Sequence, residues 1–296
     1  MLHGAVTRCG RVQTDDHLQD EIERVVALAL HEDRAREDVT SLATMDENLS
    51  GVAMFDAREP GIMAGGIVVA AVYAALDPLI SVESRVAEGG SFGAGDALLA
   101  ARGPARALLQ GERVALNLLQ RLCATASATA RYVALAKPFG VDILDTRKTT
   151  PGLRALEKYA VRCGGGVNHR LDLASIAMIK DNHREALGRV GLTLADGVAR
   201  IRALSPGVPV EVEIDSLDEL EAALEAKPEW ILLDNMPPET VRLAVERTGG
   251  RAKLEVSGGV TLETVQALAE AKPDAISVGA LTHSSGSLDI GVELVF

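Results

Sequence analysis

Val210-Glu-Val-Glu-Ile214, Trp230-Ile-Leu-Leu233, Lys253-Leu-Glu-Val256 and Ala275-Ile-Ser-Val278 are short aliphatic runs, separated by helical spacing at 216–226, 238–247 and 261–271. Runs this short and this rich in branched side chains read as buried strands. A helix between each pair makes the strands parallel, because a parallel return needs a crossover. Ser216 with Glu219, and Thr261 with Thr264, sit where N-caps of the intervening helices belong. Upstream, Val141–Leu144 and Ser175–Ile179 extend the series, with helical segments at 152–162 and 195–204. The reading is an α/β chain with an incomplete (β/α) barrel of six or seven strands. A weaker strand near Val161–Val167 is the candidate for the seventh.

The first part of the chain differs. An amphipathic helix is expected over Leu18–His31, with short strands at Val52–Arg58, Ser81–Ala87 and Ala97–Ala101 punctuated by glycine pairs at 65, 66 and 89, 90. This is an α+β pattern with antiparallel strands, and Ala105–Lys137 is long helical material leading onward. The expected division is an N-terminal α+β domain over residues 1–126 and a barrel over 127–283.

The chain has 296 residues, 47% hydrophobic but only 3% aromatic, and a formal charge of −12. Few aromatics leave few platforms for stacking bases, and a net negative surface repels nucleic acid and anionic membranes. Neither is an expected partner. Within this acidic chain, residues 145–184 carry eight Lys or Arg against four acids. Such an island suits a small polyanion. Cys9, Cys123 and Cys163 match no zinc spacing and build no disulfide framework, which fits a reducing cytoplasm. The longest apolar run, Ile67–Leu76, is half a membrane span, and no signal-peptide pattern opens the sequence.

In a barrel the carboxyl ends of the strands converge on one face, where ligands bind. Arg147, His169, Arg170 and Lys180 fall at or near the first two of those ends, and guanidinium forks hold carboxylates bidentately. Glu213 and Asp234 close later strands, where carboxylates can stabilise a cationic sugar carbon, hold ribose hydroxyls, ligate a hard cation, or simply pair with neighbouring lysines. Glu211 shares a face with Glu213, so alternation alone does not choose between them; Glu213 lies nearer the carboxyl end. Ser257-Gly258-Gly259 and Gly279 leave strands toward helices, as phosphate-cradling turns do.

Asp145-Thr-Arg-Lys-Thr-Thr-Pro-Gly-Leu-Arg154, Lys158-Tyr-Ala-Val-Arg-Cys-Gly-Gly-Gly166, Asn168-His-Arg170 and Ile179-Lys-Asp-Asn-His183 together closely resemble the quinolinate phosphoribosyltransferase family. Glu211-Val-Glu213, Leu233-Asp-Asn235, Ser257-Gly-Gly259 and Gly279-Ala-Leu-Thr-His283 belong to the same resemblance, as do Glu37-Asp-Val-Thr-Ser41, Gly111-Glu-Arg113 and Leu288-Asp-Ile-Gly291. It spans nearly the whole chain. The resemblance implies an N-terminal sandwich, an open seven-stranded barrel and a tail, 284–296, that returns to the first domain. It implies conversion of quinolinate and phosphoribosyl pyrophosphate to nicotinate mononucleotide, pyrophosphate and CO2 in NAD biosynthesis, with Mg2+. Arg147, His169, Arg170 and Lys180 would surround the pyridine dicarboxylate. Arg113 would enter the neighbouring subunit's site, making a homodimer the minimum unit. Lys148, Glu213 and Asp234 would meet the ribose and pyrophosphate, with Mg2+ held mainly through substrate and by Glu213 and Asp234. Ser257, Gly258, Gly259 and Gly279 would hold the 5′-phosphate.

Three other readings compete: a related barrel phosphoribosyltransferase acting on another pyridine acid, a class I aldolase with Lys180 as its Schiff-base lysine, and a non-enzymatic small-anion binder.

Overall fold

A computed structural model describes residues 16–296. Cys9 and the start of the N-terminal domain lie outside them. The chain forms two compact units.

The first unit takes in the chain to Ala130, Thr149–Gly165 and Ser284–Phe296. Its centre is an antiparallel sheet in which Ser50–Ala57 lies between Ala97–Pro104 and the C-terminal strand Ile290–Val295, with Ser81–Ser84 outside Ala97–Pro104. The tail thus supplies an edge strand here. Alternation drives the pairing: Ala53, Phe55 and Ala57 are buried on one face, and Leu98 to Ala101 are buried in the adjacent strand. Gly66–Leu76, the longest apolar run, is a helix with Val68, Val69, Val72 and Tyr73 fully buried in this unit's core. That run is core because a helix covered on several sides is apolar on several sides. The amphipathic helix runs Asp16–Glu32 and the long helix Ala105–Ala136. Among the described residues no helix is long and apolar enough to cross a membrane.

The second unit takes in Arg131–Lys148 and Gly166–His283. Its six parallel strands are Asp142–Leu144, Ala177–Ile179, Val210–Ile214, Trp230–Asp234, Lys253–Ser257 and Ala275–Ser277. Each of the last five lies beside its chain neighbour, and the last pairs with the first. That order is the order of a barrel. The first and second strands share no ladder, so the cylinder stays open there. Val161 is helical, inside Arg154–Cys163, and of the weak-strand candidate only Val167 joins the sheet, by a single parallel bridge to Leu144. The strand fails because the two glycines before it, Gly165 and Gly166, supply no side chain, and Gly165 turns at φ 85°. Ser216 and Glu219 form a reciprocal capping box, as their spacing requires.

Candidate active site

The strand Val210–Ile214 is buried along its entire length, and the period of two aims Glu211 and Glu213 to the same side. Their partners differ. The Glu213 carboxylate takes the ammonium of Lys180, which stands directly after the strand Ala177–Ile179. The Lys180 side chain remains 42% exposed, so this pair borders solvent. Asp234 ends the next strand, where its Oδ2 accepts the side-chain amide of Asn235 at 2.7 Å. Asn235 itself adopts φ 54°, the left-handed region that asparagine tolerates, and its backbone N–H donates to the carbonyl of Ser257.

Gly258 follows at φ 95°, and a Cβ there would fall 2.2 Å from Asn235 Oδ1. Only glycine fits. Gly259 is also left-handed, so consecutive backbone N–H groups turn together in the manner of an anion nest. The expected direct entry into a helix is not seen: a turn with Thr261 and Thr264 intervenes, and the helix begins at Val265. A Cβ on Gly279 would meet His283 Nε2 at 3.1 Å and Lys148 Cδ at 3.3 Å, so this turn brings the last strand's loop against Lys148. Thr282, buried, reinforces that contact by donating its hydroxyl to the Lys148 carbonyl at 2.8 Å.

Arg147 and Arg170 are close enough to repel. Burial first, then the charge of Arg147, lowers the pKa of Arg170 below the usual guanidinium value. Arg170 donates to the carbonyl of Ile176 at 2.9 Å and to the sulfur of Met178, while Arg147 Nε is buried with no hydrogen-bond partner. Neither guanidinium has an acidic ion-pair partner within the described residues. Two adjacent guanidiniums, one with an unsatisfied Nε, have the donors that a dianion could accept from.

His169 is held by groups of the protein itself. Its side chain is only 8% exposed, with Nε2 at 3.2 Å from Glu211 and 3.0 Å from Glu255. The Ser277 hydroxyl donates to Glu255 at 2.5 Å. Burial acts to lower the imidazole pKa, but hydrogen bonds donated to the Glu211 and Glu255 carboxylates outweigh it and lift the value to about 9. The N–H of Arg170 opposes that second proton, since it donates to Nδ1 at 2.6 Å and needs a lone pair there. With Nδ1 accepting that N–H, Nε2 bears the ring proton. Burial raises Glu211 to about 7, with His169 acting against it and the Glu255 charge with it. Nearby, Asp145, fully buried, accepts the backbone N–H of His169 at 2.9 Å and the Asn168 amide at 2.5 Å.

His169, Glu211 and Glu255 also form a trio of metal-capable side chains, their ligand atoms within 4.8 Å of one another. The tautomer argues against a metal, because Nε2–H has no lone pair to give. Alternation leaves Glu211 undecided, and strand-end position, which marks Asp145, does not single out Glu255. A carboxylate in the middle of an aliphatic strand, as in Lys253-Leu-Glu-Val256, was the available signal.

Arg113 is exposed on the long helix of the first unit and has no side-chain partner among the described residues. Cys123 and Cys163 are buried and unpaired.

The family model described as "Quinolinate phosphoribosyl transferase, C-terminal domain" matches residues 125–293, and the corresponding N-terminal domain model matches residues 38–123. The nicotinate-nucleotide pyrophosphorylase [carboxylating] of Mycobacterium leprae is 44% identical over 288 residues, covering 94% of this chain and 98% of that protein. A probable enzyme of the same name from Bacillus subtilis is 40% identical over 94% of each chain. Among solved structures, the nicotinate-nucleotide pyrophosphorylase of Francisella tularensis superposes with a TM-score of 0.89 at 34% identity, covering 97% of this chain and all of that one. Likeness over both units at these identities sets aside the aldolase and simple anion-binding readings of the cationic barrel, and the chain belongs to the quinolinate phosphoribosyltransferase family.

Proposed function

We propose that this protein transfers the phosphoribosyl group of phosphoribosyl pyrophosphate to quinolinate and decarboxylates the product, giving nicotinate mononucleotide, pyrophosphate and CO2 for NAD biosynthesis. The observation that carries the substrate is the adjacent pair Arg147 and Arg170, with no acidic ion-pair partner among the described residues and with Arg147 Nε unsatisfied. A pyridine with two neighbouring carboxylates satisfies both forks at once. Lys180 adds a third cation, and its pairing with Glu213 links the dicarboxylate end of the site to the ribose end.

In this reading Lys148, Ser257, Gly258, Gly259 and Gly279 hold the phosphates, while Glu213 and Asp234 face the ribose. As the C1–oxygen bond breaks, pyrophosphate leaves with the electron pair and the ribose carbon becomes cationic. The two carboxylates stabilise that charge, and the pyridine nitrogen attacks it. The ring nitrogen, now a pyridinium, accepts the electrons released when the adjacent carboxylate departs as CO2; a proton then fills the vacated carbon. Glu213 and Asp234 also supply the hard oxygen donors that Mg2+ takes, and the ion bound there and to substrate would neutralise charge on the leaving pyrophosphate. Arg113, exposed and without a side-chain partner among the described residues, is proposed to complete the site of a second subunit. A cytoplasmic location completes the reading, on the strength of cysteines that build no disulfide framework.

The test is release of CO2 on incubation with quinolinate, phosphoribosyl pyrophosphate and Mg2+. No release, or equal turnover of nicotinate in place of quinolinate, would overturn the substrate assignment. Mixing inactive Arg113→Ala and Lys180→Ala protomers should restore activity, because a mixed dimer contains one site with both residues intact.

A further inference from the structure

His169 has both ring nitrogens committed to the protein. Nε2–H is shared between Glu211 and Glu255, and Nδ1 accepts the N–H of Arg170. Its own N–H is held by Asp145. These contacts fix the orientation of the ring. The ring in turn holds the main chain of Arg170, one of the two guanidiniums that meet the dicarboxylate.

We infer that Glu211 and Glu255 are positioning residues for quinolinate binding, acting through His169 to fix the backbone at Arg170 and so the aim of its guanidinium. This rests on the reading that Arg170 binds quinolinate. The two carboxylates come from strands separated by Trp230–Asp234, and they converge on one nitrogen, so the ring is braced from two sides. Ser277, from a further strand, fixes Glu255 in turn. Buried carboxylates beneath an anion site are costly, and aliphatic side chains would fill the same volume at lower cost. Hydrogen bonding to a ring that must not rotate accounts for the carboxylates being there. The same arrangement explains why His169 lies beside the site while being almost covered.

Steady-state kinetics of Glu211→Gln, Glu255→Gln and Ser277→Ala, with His169→Ala and Arg170→Lys as references, test the inference. Each Gln variant should raise the quinolinate KM about tenfold, the scale of one lost hydrogen bond to a charged group, with the phosphoribosyl pyrophosphate KM unchanged. Ser277→Ala should shift it in the same direction by less. In the His169→Ala background, Glu211→Gln should add nothing, because the residue through which it acts is gone. Unchanged quinolinate KM in both Gln variants, with His169→Ala and Arg170→Lys still impaired, overturns the inference and leaves the site reading standing. Unchanged KM in Arg170→Lys overturns the site reading itself. A rise in both KM values together, or a full additional loss in the His169→Ala background, also counts against the inference. Ser277→Ala retains every buried charge and keeps the test readable should a Gln variant fail to fold.

Discussion

Glu211 and Glu213 stand two residues apart on one strand, face the same side and are both nearly buried, yet they belong to different chemistry. Glu213 meets a lysine whose side chain is 42% exposed; Glu211 meets an imidazole that is 8% exposed. The separation along the strand is about 6.6 Å, two residues' rise. That distance divides a rim, where charges can exchange a protein partner for a substrate, from a floor, where every partner is internal. Depth along a barrel strand decides the role of an acidic residue that alternation leaves undetermined. Asp234 and Ser257 lie with the rim; Glu255, two residues before Ser257, lies with the floor.

The sharpest way to break this distinction is to remove a rim charge. Asp234→Asn should lower kcat by about a hundredfold or more, the usual cost of losing one preorganised transition-state contact, with an unchanged melting temperature. CO2 release and thermal unfolding measure the two sides; a normal kcat would move Asp234 out of the transition state. Next in size is a floor substitution. Asp145→Ala leaves the backbone N–H of His169 and the Asn168 amide without their buried acceptor, and should cost about 1–3 kcal/mol of stability. Chemical denaturation reads that loss directly, and a variant as stable as the parent would show that floor and rim do not differ as described. The smallest effect is expected between the two layers. Thr282→Val removes the hydrogen bond to the Lys148 carbonyl, worth about 1 kcal/mol, and should raise the phosphoribosyl pyrophosphate KM severalfold without altering that for quinolinate. A change confined to quinolinate would place Lys148 at the other end of the site.

The sequence read alone reached the alternation of strands and helices, the paired caps at Ser216 and Glu219, and the nearness of Arg147 to Arg170. These are local patterns: period two, period 3.6, capping spacing and charge along a short stretch. Resemblance then attached a substrate to them. What the linear order did not disclose was depth and tautomer. His169 looks like any basic residue beside an arginine until Glu211 and Glu255, 42 and 86 residues later, close on the same nitrogen. Val161–Val167 looked strand-like until helix and glycines left only Val167 in the sheet. Composition and periodicity specify which elements form because those preferences act over one or two turns of chain. Which carboxylate faces solvent, and which is locked beneath it, depends on contacts between distant strands, and only the tertiary structure brings those strands together.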